Sequence, residues 1–112
     1  MPTVLIVAEF GSLNGGERSL LAMLPQLGNH GWNFEALVPS NSAFAARLQA
    51  IGIPSHPFRV FDHSGHRKSQ TEIRDSIRSV IRRLEPNLVH SNSLAASRLT
   101  GPVCQELGVP GV

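Results

Sequence analysis

The sequence predicts an α/β domain: a three-layer, Rossmann-like parallel sheet with strand order 3-2-1-4-5. Three observations carry that expectation. The first strand, Thr3 to Ala8, is continuously apolar instead of alternating, as a strand covered on both faces must be. Between the short apolar runs lie stretches whose apolar residues recur at helical spacing. Strands that alternate with helices imply right-handed crossovers, and therefore a parallel sheet.

The elements follow in order. Glu17 to Leu27 predicts a helix with Leu20, Leu21, Leu24 and Leu27 on one stripe, Pro25 kinking or tightening its last turn, and "NHGW" ending it. Phe34 to Val38 is the second strand, closed by Pro39. Asn41 or Ser42 can cap a helix to Ile51, with Phe44, Leu48 and Ile51 inward and Gly52 as its stop. Ile53 to Phe58 is a third strand whose two prolines favour an edge. The polar segment 62–70, "DHSGHRKSQ", reads as a mobile loop. Ile73, Ile77, Val80, Ile81 and Leu84 then mark a strongly amphipathic helix over 70–85, stopped by Pro86. Leu88 to Ser91 is the fourth strand. A helix from Leu94 to Leu107 follows, divided at Gly101-Pro102, and Val109 to Val112 opens a fifth strand.

With 112 residues, 41% hydrophobic and 16% charged, the chain is expected to form one domain, 1–112. A formal net charge of +2 is too small to suggest nucleic acid. Cys104 is alone and cannot close an internal disulfide, which fits a reducing, cytoplasmic setting. Glu9 cuts the first apolar run too early for a signal peptide, and no run is long enough to span a bilayer.

In the predicted strand order the chain reverses between strands one and four, and ligands bind above their carboxyl ends. The loop at 9–16 and the segment "HSNS" at 90–93 both fall there. Gly11 and Gly16 have the G-x-x-x-x-G spacing of a triphosphate loop, but Glu17 and Arg18 stand where lysine and a hydroxyl residue are needed. The dinucleotide fingerprint G-x-G-x-x-G is also missing. What remains is a milder device: Gly15 and Gly16 let backbone approach a ligand at a helix N-terminus, and Glu17 suits the helix dipole and can accept from hydroxyls. A simple glycine turn before a helix explains the loop equally well.

The ordered segments "NGGERSLL", "LGNHGWNFEALVP", "LQAIGIPSHPF", "IRRLEPNLVHSNS" and "ELGVPGV" resemble the N-terminal domain of family 4-type (group 1) retaining GT-B glycosyltransferases. The likeness runs over nearly the whole chain. It implies the N-terminal, acceptor-side half of a GT-B fold, which moves a sugar from a UDP- or GDP-linked donor to an acceptor hydroxyl without a metal or other cofactor. Asn14, Gly15 and Gly16 then form the cleft loop that approaches the donor phosphates or the acceptor, with Asn14 where the family has its first glycine. Glu17, His90, Asn92 and Ser93 line the acceptor side, and Asn87 replaces a common aspartate. The resemblance further implies a partner, a C-terminal donor-binding domain lying beyond Val112, so the chain by itself is expected to be inactive and its catalytic residues to lie elsewhere. A stand-alone flavodoxin-like binding or regulatory domain, or a half that pairs with a separate donor-binding chain, stays open.

Three further groups of side chains bear on function. His63 and His66 form an H-x-x-H pair on a polar loop, without a third ligand, so no metal is expected. Arg67, Lys68, Arg74, Arg78, Arg82 and Arg83 face only Glu72 and Asp75, a local balance of +4. A solvated helix face explains this patch. The sharper expectation, since some members of the family use lipid-linked acceptors, is peripheral contact with the inner membrane face through Arg74, Arg78 and Arg82. Cys104 reads as a packing residue.

Overall fold

The computed structural model describes residues 2–11 and 13–112. Eight elements alternate: β1 Thr3–Val7, α1 Gly15–Asn29, β2 Asn33–Val38, α2 Ala43–Ala50, β3 Ser55–Pro57, α3 Gln70–Leu84, β4 Leu88–Ser91 and α4 Leu94–Leu107. The strands form a parallel sheet of order β3-β2-β1-β4. Beyond β4 the chain returns alongside it, and Gly111 makes a parallel bridge to Val89. That is the side predicted for the fifth strand, but the residues make a single bridge and not a strand.

The pleat sends alternate residues to opposite faces, and each face is sealed by its own pair of helices. Ile6, Ala36 and Val38 pack with Leu20 and Leu24 of α1 and with Phe44 and Leu48 of α2. Leu5, Val7, Leu37 and Val89 pack with Ile73, Ile77 and Ile81 of α3 and with Leu99 and Val103 of α4. Covered on both sides, the central strand has to be apolar throughout, and Val4 to Val7 are all buried. Cys104 lies in the second of these layers, and burial pushes its thiol up from its ordinary value, away from the reactive thiolate.

Several sequence expectations change. Gly15 and Gly16 belong to α1 itself, whose N-cap is Asn14. Pro25 sits inside α1, which continues to Asn29. Ile51 is 42% exposed instead of inward, because α2 ends at Ala50 and Ile51 turns out as its C-cap. The third strand shrinks to Ser55–Pro57, at the sheet edge. The polar segment after it is a bonded turn. Phe61 pairs with Arg67, and Asp62 accepts from the amides of Ser64 at 2.8 Å and His66 at 3.0 Å. An aspartate side chain that captures amides ahead of it supplies the order that polarity alone does not suggest.

The most informative difference is in α4, which runs unbroken through Gly101-Pro102. Proline lacks the N–H that would bond the carbonyl four residues back, here that of Arg98. Arg74 of α3 takes over, its Nη2 donating to the Arg98 carbonyl at 3.0 Å. A guanidinium from the neighbouring helix thus replaces the missing amide, and the helix need not divide.

Candidate functional site

β1 and β4 are neighbours running in register, with Ile6 beside His90 and Val7 beside Ser91. The chain leaves β1 toward α1 on one face of the sheet and leaves β4 toward α4 on the other. The two exits diverge and open a crevice at the carboxyl ends. One backbone link holds its walls close: the Asn92 amide donates to the Val7 carbonyl at 3.0 Å.

The crevice holds a pocket of about 140 Å³. Glu9, Phe10, Asn14, Gly16 and Glu17 line it from the β1–α1 side, and Asn92 and Ser93 from the β4–α4 side. Glu17, in the first turn of α1, is buried, and Asn92 Nδ2 donates to its Oε2 at 3.4 Å across the crevice. This bond ties the two loops together through side chains. Asn14 caps α1 by accepting from the Gly16 amide at 3.2 Å. Ser93 caps α4 by accepting from the Ala96 amide at 3.0 Å. Two helix N-termini therefore face one pocket, each already served by its own cap.

The site residues expected from sequence divide accordingly. Asn14, Gly16, Glu17, Asn92 and Ser93 share the pocket wall. Gly15 and His90 lie outside it. His90 stands beside Ile6, so it projects from the α1–α2 face of the sheet, half-buried, one residue short of the crevice.

The glycines separate by what surrounds them. A Cβ at Gly15 would meet nothing within 4 Å, and one at Gly16 would meet only Asn14 Oδ1, at 3.7 Å. Packing does not require either glycine. At Gly11 a Cβ would lie 2.1 Å from Ser42 Cβ, so packing alone accounts for that residue. The triphosphate-like spacing of Gly11 and Gly16 therefore mixes one packing glycine with one open to the pocket.

Sequence reasoning missed Glu9. It lies two residues beyond β1, is only 4% exposed, and is paired with Arg67 Nη2 at 2.5 Å. Arg67 reaches it from the Asp62 turn, and the sequence shows no link between the two. The available signal was a carboxylate placed immediately after a buried strand, where charge is costly without a partner.

The arginine patch is largely committed to α4. Arg78 grips Glu106 with Nε at 2.7 Å and Nη2 at 3.1 Å, and reaches Asp75 at 2.6 Å. These bonds hold the Glu106 carboxyl below the usual carboxylate range, and the Glu106 and Asp75 carboxylates raise Arg78 further. Arg74 serves the α4 carbonyl. Arg82 and Arg83 are exposed. No helix among the described residues is long and apolar enough to cross a membrane.

No protein-family model matches this sequence, and no curated protein does. Solved structures do match in fold. MurG of Acinetobacter baumannii superposes with a TM-score of 0.77 at 16% identity, over 99% of this chain and 34% of that one. Anabaena Alr3699/HepE in complex with UDP gives 0.73 at 16% identity, over 97% of this chain and 28% of that one. A deacetylase from the teicoplanin biosynthesis pathway gives 0.68 at 17% identity, over 97% of this chain and 65% of that one. The chain thus spans about a third of the first two, and its α/β architecture is that of a GT-B Rossmann-like domain.

Proposed function

We propose that this chain is the acceptor-side domain of a retaining, family 4-type glycosyltransferase that moves a sugar from a UDP- or GDP-linked donor to an acceptor hydroxyl. One observation carries the reading. The β1–α1 and β4–α4 loops meet in a single pocket, joined by the Glu17–Asn92 bond, at the point where the chain's progress across the parallel sheet reverses. The fold likeness to Alr3699/HepE, a protein solved with UDP, supports it.

Sugar transfer needs the acceptor hydroxyl oriented and the leaving diphosphate stabilised. Buried Glu17, held by Asn92, is a fixed acceptor of hydrogen bonds and suits the first task. The second calls for cations close to the diphosphate, and among the described residues no basic side chain lines this pocket. A donor-binding partner domain supplies them in this reading, and the chain alone does not transfer sugar. The other reading, a non-catalytic binding domain, is favoured by no particular feature of the pocket.

The test is made on the full product of the reading frame, assayed with UDP- and GDP-sugars. Translation past Val112 is expected to show a second α/β domain. There, Gly16→Val, which puts an isopropyl group into the pocket, lowers transfer at least about tenfold, or about 1.4 kcal/mol of barrier. Unaltered turnover in that variant would remove the pocket from the reaction.

A further inference from the structure

We propose that a groove at the amino ends of the strands, between α1 and the α2–β3 connection, binds a neutral oligosaccharide, with Trp32 as the surface on which a sugar ring lies. The groove is at the opposite end of the sheet from the crevice, and its role does not depend on the sugar-transfer reading.

The groove opens where α1, α2 and the start of β2 part. After α1 ends at Asn29, Gly31 takes a left-handed conformation, at φ +90, and turns the chain into β2. That turn leaves Trp32 37% exposed, its amide held by the Leu27 carbonyl at 3.3 Å. Trp32 lines a cavity of about 820 Å³, together with Leu24, Phe34, Ile51 and Ile53. A cavity of this size takes a ligand larger than a single sugar ring.

The sheet register adds a main-chain donor and acceptor. The Asn33 amide donates to the Pro2 carbonyl at 2.9 Å and the Leu37 carbonyl accepts from the Ala8 amide at 3.1 Å, so these residues face β1. Alternation then turns the amide and carbonyl of Phe34 the other way, toward residues 52–54, which line the same groove. In a continued ladder the Phe34 carbonyl would accept from Pro54, and proline has no N–H. Neither main-chain group of Phe34 has a backbone partner among the described residues.

Chemistry selects the ligand. Thr3, Asn29 and Asn33 add neutral polar groups to the apolar lining, and a purely apolar ligand would cover them without bonding them. An ion finds no free counter-charge. Among the described lining residues only Glu35 is charged, and its side chain shares the face of Leu37, where His56 engages Oε1 at 2.9 Å. A peptide adding as a strand needs a row of free main-chain groups. Ala36, next in that row after Phe34, already donates to the Pro54 carbonyl at 2.9 Å. A neutral oligosaccharide meets each requirement. Its hydroxyls both donate and accept, and the C–H face of a ring covers an indole.

Trp32 is the single tryptophan of the chain, so its fluorescence reports on this groove. The chain is titrated with maltotriose, cellotriose and chitotriose, and with hexanol and inorganic phosphate as controls; amide shifts of the ¹⁵N-labelled chain are recorded alongside. At least one trisaccharide is expected to change the emission saturably and to move the amides of Gly28, Trp32, Phe34 and Gly52. Trp32→Ala is expected to weaken that binding about fivefold or more, read from the amide shifts. Should that variant not fold, Asn29→Ala, at an exposed position, is expected to weaken it about threefold. Silence toward all three trisaccharides, a response to hexanol or phosphate alone, or shifts confined to Gly16 and Asn92 in the crevice would each overturn the proposal. Sugar transfer by the full product of the reading frame, present or absent, leaves these outcomes unchanged, so the two readings fail separately.

Discussion

Replacing Gly11 by alanine drives a methyl group into Ser42. The added Cβ would sit 2.1 Å from Ser42 Cβ and 2.5 Å from its Oγ, where carbon atoms prefer roughly 3.5–4.0 Å. Neither side can retreat cheaply. Ser42 Oγ donates to the Pro39 carbonyl at 2.7 Å and accepts from the Ala45 amide at 3.2 Å, which makes it the N-cap of α2. The Gly11 carbonyl accepts from the Phe44 amide at 3.0 Å, and Phe44 is fully buried. Overpacking of this kind costs about 1–3 kcal/mol, and a displaced cap adds about 1 kcal/mol. Gly11→Ala should therefore cost about 2–4 kcal/mol. For a domain of this size that lowers the melting temperature by roughly 8–16 °C. Thermal unfolding followed by circular dichroism measures it. A fall of less than about 2 °C would mean that the loop after β1 does not rest on α2, and the pocket geometry built on that contact would fail with it.

Other changes separate the remaining forces. Gly15→Ala places its methyl in open space, so stability should stay within about 0.5 kcal/mol of the parent in urea unfolding. Arg74→Ala leaves the Arg98 carbonyl without its donor and should cost about 1–2 kcal/mol in the same assay, whereas Arg83→Ala, at an exposed position, should cost much less. The Arg78 bonds lower the Glu106 pKa in the folded state, so their contribution is present at neutral pH and is lost as pH falls through that lowered value. Unfolding midpoints measured against pH should accordingly decline less steeply on the acid side in Glu106→Gln than in the parent.

Much of this architecture was legible because its causes are local. A strand buried on both faces must be apolar throughout, and α3 carries its inward stripe of Ile73, Ile77, Val80 and Ile81 openly. The strand order β3-β2-β1-β4 then follows from the handedness of the crossovers. What stayed hidden depends on distant partners. Pro102 predicts a break in α4 unless it is known that Arg74, 28 positions earlier, answers the carbonyl that proline orphans. The turn at Asp62 delivers Arg67 to Glu9 across the top of the sheet, and neither residue signals the other. The segment "HSNS" reads as one unit in the sequence, but strand alternation sends His90 and Ser91 to opposite faces.

The three glycines after β1 show how packing and function can be told apart within one loop. A residue kept small by its neighbours reports on the fold, and Gly11, pressed against Ser42, is of that kind. A residue kept small beside open space has no such reason. Alanine suits a helix better than glycine by about 1 kcal/mol in its interior, so Gly15 and Gly16 in the first turn of α1 give up part of that without a packing return. The cost is understandable if something outside the chain must come close to the backbone there. Glu9 Oε2, buried on the same side of the crevice, has no hydrogen-bond partner among the described residues. Gly16 and Glu9 both line one pocket, at the place where the direction of the sheet connections reverses, whereas Gly15 lies outside it.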